Sequence, residues 1–152
     1  MKRKITAFFT LFLSAVLSIL CFASCGNDGK TKSVVLEKVT ETMIVMRVEE
    51  AEENASALSA LTKLKEDGAL TFETKDSGYG AYIVSINGKE EIASGNSGYS
   101  WMLYTSDAEH SSTEFGSVEY NGAVYGSSAL GASSLIVKDG GIYIWVYESW
   151  SF

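Results

Sequence analysis

The 152-residue chain contains no proline. Its turns must then be built from Gly, Asn, Asp and Ser, which reach the positive-φ or side-chain-bonded conformations that tight reversals need. Fourteen glycines are available, and Asn87-Gly88, Asn121-Gly122 and Asp139-Gly140-Gly141 each fall between apolar runs. Asn-Gly is a strong hairpin signal because both residues tolerate positive φ. Such a chain is expected to fold back on itself as a series of short strands.

The N-terminus is a different kind of segment. Met1-Lys2-Arg3-Lys4 is a basic head, and an apolar run follows from Ile5 to Ala23, interrupted only by Thr6, Thr10, Ser14 and Ser18. This is the plan of an export signal. It is marginal in length for a spanning helix, which needs about 20 apolar residues. Its end, Phe22-Ala23-Ser24-Cys25, places small residues before a cysteine. Cys21 does not fit such a pattern, since Leu20 precedes it. The expected organisation is a signal helix over 1–24, a flexible polar tether over 25–33 and one domain over 34–152. An uncleaved anchor helix and a secretory signal cut near Ala23 are the other readings. All three put the rest of the chain outside the cytoplasm.

Loss of residues 1–24 takes Lys+Arg from 12 to 9 against 19 Asp+Glu, a net charge of about −10. That surface argues against nucleic acid and against electrostatic adhesion to anionic lipid. Cys25 would be the last thiol, which leaves no disulfide and no cysteine metal cluster. The one histidine, His110, sits in the polar stretch Ser106–Ser112 and reads as a solvated loop residue.

Along the domain, Val34-Val35-Leu36 and Met43–Val48 are β-prone runs split by Thr40-Glu41-Thr42, forming either a hairpin or one long strand. Ala57, Leu58, Leu61 and Leu64 share one helical face. Asn54 or Ser56 can cap that helix, and Gly68 can stop it, which predicts a helix over about 55–67. Strands are expected at 70–74, 81–86, 99–104, 118–120, 123–125, 134–137 and 142–147. Ser77–Gly80 and Gly95–Gly98 read as loops. The fold class is α+β: one helix packed on an antiparallel or mixed sheet, in a small β-grasp-like layout.

These elements resemble, in order, the small C-terminal β-domain of transcobalamin and intrinsic factor, found in bacterial surface proteins as the DUF4430 family. The resemblance rests on Leu70–Thr74, Tyr79–Lys89, Tyr99-Ser100-Trp101-Met102-Leu103, Lys138–Ile142 and Ser149-Trp150. Likewise, residues 22–25 resemble the lipobox of bacterial lipoproteins, with Phe22 where that motif has Leu. It implies diacylglycerol on Cys25 and a domain held at the outer face of the cell membrane. The vitamin carriers hold cobalamin between this domain and a large helical one that is missing from this chain. Gly140-Gly141 also stands where the family has Gly-Asp. The resemblance implies Thr74, Gly78, Tyr79, Gly80, Tyr82, Tyr99, Trp101, Leu103 and Tyr104 as the ligand-facing set. It also implies a corrinoid as possible ligand, and a second surface protein or transporter that completes the site.

Catalytic patterns are missing from the sequence: there is no Gly-x-Ser-x-Gly elbow, P-loop or His-Glu-x-x-His. The acidic pairs Glu49-Glu50, Glu52-Glu53 and Glu90-Glu91 read as solvated charge. An enzyme is therefore not expected, and no cofactor or metal. The expected function is an extracytoplasmic lipid-anchored binding protein. The alternative is a surface module that binds protein or glycan through its aromatic strands. Tyr and Trp at alternate strand positions are also ordinary core residues. Trp101 and Leu103 share one face, Met102 and Tyr104 the other, and one of these faces must be core.

Overall fold

A computed structural model describes residues 29–78 and 80–152. The signal expected over 1–24, Cys25 expected to carry lipid, and Tyr79 expected to face a ligand lie outside the described residues. The chain there is mostly antiparallel sheet with one short helix.

Strands β1 (Thr31–Val39) and β2 (Met43–Ala51) form the first hairpin. The Thr40 hydroxyl closes it by accepting the Met43 N–H at 2.9 Å. Thr31, Lys32 and Ser33, expected in the tether, belong to β1. Helix α1 (Ala57–Glu66) follows. Ser56 is the N-cap, and its hydroxyl accepts the Ser59 N–H at 3.2 Å. At the other end Gly68 has φ 72°. Gly68 and Ala69 donate to the Lys65 and Leu64 carbonyls at 3.1 and 2.9 Å, the paired bonds of a Schellman stop.

The remaining strands are β3 (Phe72–Asp76), β4 (Ala81–Ile86), β5 (Lys89–Glu90), β6 (Ile92–Ser94) and β7 (Ser97–Thr105). After them come β8 (Ser111–Tyr120), β9 (Ala123–Ser128) and β10 (Ile142–Ser151). The main sheet runs β1-β2-β10-β7-β9-β8, with β6 paired to the start of β7, and β3-β4-β5 is a second, smaller sheet. Every named pairing is antiparallel, so the mixed alternative is not realised among the described residues. Asn87 and Asn121 have φ 49°, and Gly88 and Gly122 follow at 78° and 77°. Both pairs make the tight two-residue turns expected of them.

The inner face of the main sheet carries Ile44, Met46, Val48, Trp101, Leu103, Tyr143 and Trp145. They join one cluster with Ala57, Ala60, Leu61 and Leu64 of the helix and with Phe72, Ile83 and Ile86 of the small sheet. Each fully buried Leu or Ile there contributes about 1.5–3 kcal/mol relative to exposure. The outer face has its own smaller cluster of Val45, Tyr104, Tyr125 and Ile144. Both faces of β7 are therefore core over its second half, Trp101–Thr105.

Residues 134–137 are not the expected strand. Only one bridge forms, between Ser56 and Ile136. Leu135 and Val137 point inward and Ile136 outward, as the alternation requires. The carbonyls of Ala132 and Leu135, however, take the Leu58 and Ala57 N–H groups at 2.8 Å each. Helix N-termini leave such donors unsatisfied, and here this segment serves them instead of a ladder. Ser111 and Ser112, expected in a loop, belong to β8.

Candidate binding surface

Strands β7 and β10 are longer than the cover over them. Tyr147 pairs with Trp101, Ser149 with Tyr99 and Ser151 with Ser97, all on the inner-face side. Strand β6 adds Ile92 opposite Tyr99 and Ser94 opposite Ser97. This end of the sheet projects past the helix and the hydrophobic cluster.

Exposure rises along it. Trp101 is 3% exposed, Tyr147 is half-buried and Tyr99 is 48% exposed. The Tyr99 and Tyr147 rings stack with centroids 5.7 Å apart and planes 16° apart. Tyr147 also leans on Trp101, 5.4 Å away at 56°. The two inner rings are fixed by hydrogen bonds to β5. The Trp101 Nε1–H donates to the Lys89 carbonyl, and the Tyr147 hydroxyl to the Glu90 carbonyl, both at 2.8 Å. The Asn87-Gly88 turn delivers β5 to that position. The Lys89 ammonium lies 4.7 Å from the Tyr147 ring centroid and 3.0 Å from the Glu41 carboxylate. Tyr99 alone of the three is left with an open face.

Two recesses flank this shelf. One, of about 500 Å³, lies between Gly88–Ile92 and the Tyr99–Tyr147 pair. The other, of about 390 Å³, is lined by Ile92, Tyr99, Trp150 and the serines at 94, 97, 149 and 151. Both are open depressions in the surface rather than enclosed cavities. Tyr82 stands near the first recess. Burial pushes its phenol up from the usual tyrosine range, and the neighbouring Glu91 carboxylate adds to that while Ser100 opposes it.

The residues expected to face a ligand do not form one site. Tyr99 is on the shelf and Tyr82 at its margin. Trp101 and Leu103 are sealed in the main core. Tyr104 is buried in the outer-face cluster, where its hydroxyl donates to Glu148. Burial, then that carboxylate, push the Tyr104 phenol well above its usual range. Thr74 is exposed on β3 and Gly78 in the β3–β4 turn, away from these recesses. Gly80 (φ 106°) does make a close approach, but to Ser133: an added Cβ would sit 2.2 Å from the Ser133 hydroxyl oxygen. That oxygen accepts the Ala81 N–H at 3.2 Å. The shelf residues missed in the sequence are Tyr147, Ile92, Lys89 and the four serines. Their signal was the two-residue period of Tyr147, Ser149 and Ser151 continuing beyond the apolar part of β10.

A second polar cluster lies elsewhere. Asp107 is 8% exposed. Its carboxylate accepts from the Lys138 ammonium at 2.8 Å and contacts His110 Nδ1 at 2.9 Å. Lys138, then His110, hold the Asp107 carboxyl down at about 2. His110 is a partly exposed loop residue, as expected, and has a partner in Asp107. Ligand atoms of Asp107, Glu109 and His110 gather within 4.8 Å of one another. The Lys138 ammonium already neutralises the central carboxylate, which disfavours a cation there. The cluster instead ties the β7–β8 loop to the segment entering β10.

No family model, curated protein or solved structure matches this chain.

Proposed function

We propose that the chain is a binding module held by lipid on Cys25 at the outer face of a membrane, with the Tyr99–Tyr147 shelf as its contact surface. The observation that carries this reading is the aromatic stack left open beside a recess, while the rings behind it are locked by backbone hydrogen bonds. A rigid aromatic with a polar tip suits a ligand that presents a flat apolar face and polar edges. Corrinoids are the version that the likeness to the transcobalamin β-domain supplies. The helix followed by antiparallel strands, with an aromatic β7 near the centre, supports that β-grasp-like family reading. The shelf has one wall, so a second surface protein is a natural completion of it.

Two measurements test the proposal. Mass spectrometry of the mature N-terminus is expected to find a lipidated Cys25, and Cys25→Ala to release the protein from membranes; an unmodified Cys25 removes the anchor. Fluorescence titration of the full chain with cobalamin, cobinamide and other flat-faced ligands is expected to report saturable binding that Tyr99→Ala weakens. Binding indifferent to both Tyr99→Ala and Tyr147→Ala would show that the shelf is not the site.

A further inference from the structure

We propose that the shelf and its serine-lined extension are one groove that holds a linear glycan of neutral or amino-hexose rings; this rests on the shelf being the contact surface. The two recesses are contiguous, since Ile92 and Tyr99 line both. Together they make a strip rather than a bowl. One end is aromatic, with the open Tyr99 face. The other is hydroxylated, with Ser94 beside Ser97 and Ser97 beside Ser151 across successive strands. A pyranose ring has this same division: an apolar C–H face that lies on an aromatic ring, and a rim of hydroxyls. Ser149 and Ser151 follow each other at two-residue spacing, roughly 6.6 Å at about 3.3 Å per strand residue. That step is close to one sugar ring, so successive rings meet repeating polar groups. A broad macrocycle would cover Tyr99 but find no wall around its far edge.

Charge narrows the class. Glu90 and Glu91 line the aromatic end, and the nearby Lys89 ammonium is engaged by Glu41 at 3.0 Å. The exported chain carries a net charge of about −10, with 9 Lys+Arg against 19 Asp+Glu. A polyanionic glycan is repelled, and neutral or protonated amino sugars are accepted.

Position agrees. The chain enters the domain at Thr31, which pairs with Ala51 at one pole of the sheet. The groove lies at the opposite pole, reached from Ala51 down β2 to Met43, across to Val146 and on to Ser151. Those steps span roughly 40 Å of strand at about 3.3 Å per residue. An anchor before Thr31 therefore leaves the groove facing away from the bilayer, toward extracellular polymers.

The test is titration calorimetry of the full chain in detergent with glucose, glucosamine and N-acetylglucosamine oligomers from dimer to hexamer. Polygalacturonate serves as the anionic control and cobinamide as the macrocyclic one. The expected result is binding of at least one neutral or amino-sugar series that strengthens about tenfold from dimer to hexamer. Tyr99→Ala should weaken every length about tenfold, with an unchanged circular dichroism spectrum. Ser151→Val should remove the hexamer's advantage and leave the dimer unaffected. Tyr99-dependent binding of cobinamide without any oligosaccharide overturns the glycan proposal and leaves the shelf reading standing. Silence from every sugar and from cobinamide overturns both, as does preference for polygalacturonate overturn the charge argument on which the glycan class rests.

Discussion

The two ends of the β7–β10 ladder use the same pairing and the same face, yet they have opposite fates. At one end Trp101, Leu103, Tyr143 and Trp145 disappear under the helix and the small sheet. At the other, Ser97, Tyr99, Ser149 and Ser151 remain at the surface. Tyr147 is the transition, half-buried and touching an aromatic on each side. Strand pairing thus sets which residues are neighbours, and the elements laid over the sheet decide which of them are core. Aromatic content alone does not separate the two ends.

Substitutions can break that contrast in graded steps. Trp101→Ala is expected to cost about 3–5 kcal/mol, the usual range for emptying a large aromatic site in a core. Urea unfolding would measure it, and a cost below about 1 kcal/mol would mean that the cover over this end is loose. Asp107→Ala, far from the shelf, should cost about 1 kcal/mol, since the exposed Lys138 and His110 are rehydrated once their shared partner is gone. The sign of its pH dependence follows from the depressed carboxyl. Its stabilisation is fully present above the ordinary value of 3.8 and fades as pH falls through about 2. Acid unfolding of wild type and Asp107→Asn should therefore converge toward pH 2; parallel curves would remove the cluster as a stabilising tie. Gly88→Ala should cost about 1 kcal/mol, since φ 78° penalises a Cβ. It should also loosen the β5 clamp on Trp101 and Tyr147, visible as faster exchange of the Trp101 indole proton. Tyr99→Ala is expected to be mildest for stability, at most about 1 kcal/mol from the lost stack. A thermal melt that fell as far as that of Trp101→Ala would turn the shelf into core.

Local chemistry made much of the fold legible. The proline-free turns, the Ser56 cap and the Gly68 stop depend on neighbours in sequence, and each is where the residues put it. The 134–137 segment was not legible, because its inward Leu135 and Val137 match a strand as well as a loop. Its backbone is diverted by free N–H groups of a helix some 75 residues earlier in the chain. The candidate surface was half legible for a similar reason. Alternation correctly grouped Trp101 with Leu103 and Met102 with Tyr104. It carried no information about where α1 and β4 would stop covering the face of Trp101. The pairing of the buried Asp107 with Lys138 was equally hidden, since that lysine approaches from 31 residues away.

The separation of chain entry and groove has a mechanical consequence. In the proposed arrangement, a ligand held at Ser97, Tyr99 and Ser151 would pull on β7 and β10, and an anchor before Thr31 would pull on β1. The load must cross from β10 to β2 to β1 through two antiparallel ladders, and it runs along the strands. Hydrogen bonds stressed in that direction share the force and yield together, whereas a load at one end of a hairpin opens them singly. Under that proposal the domain would bear a pull between its two poles without peeling.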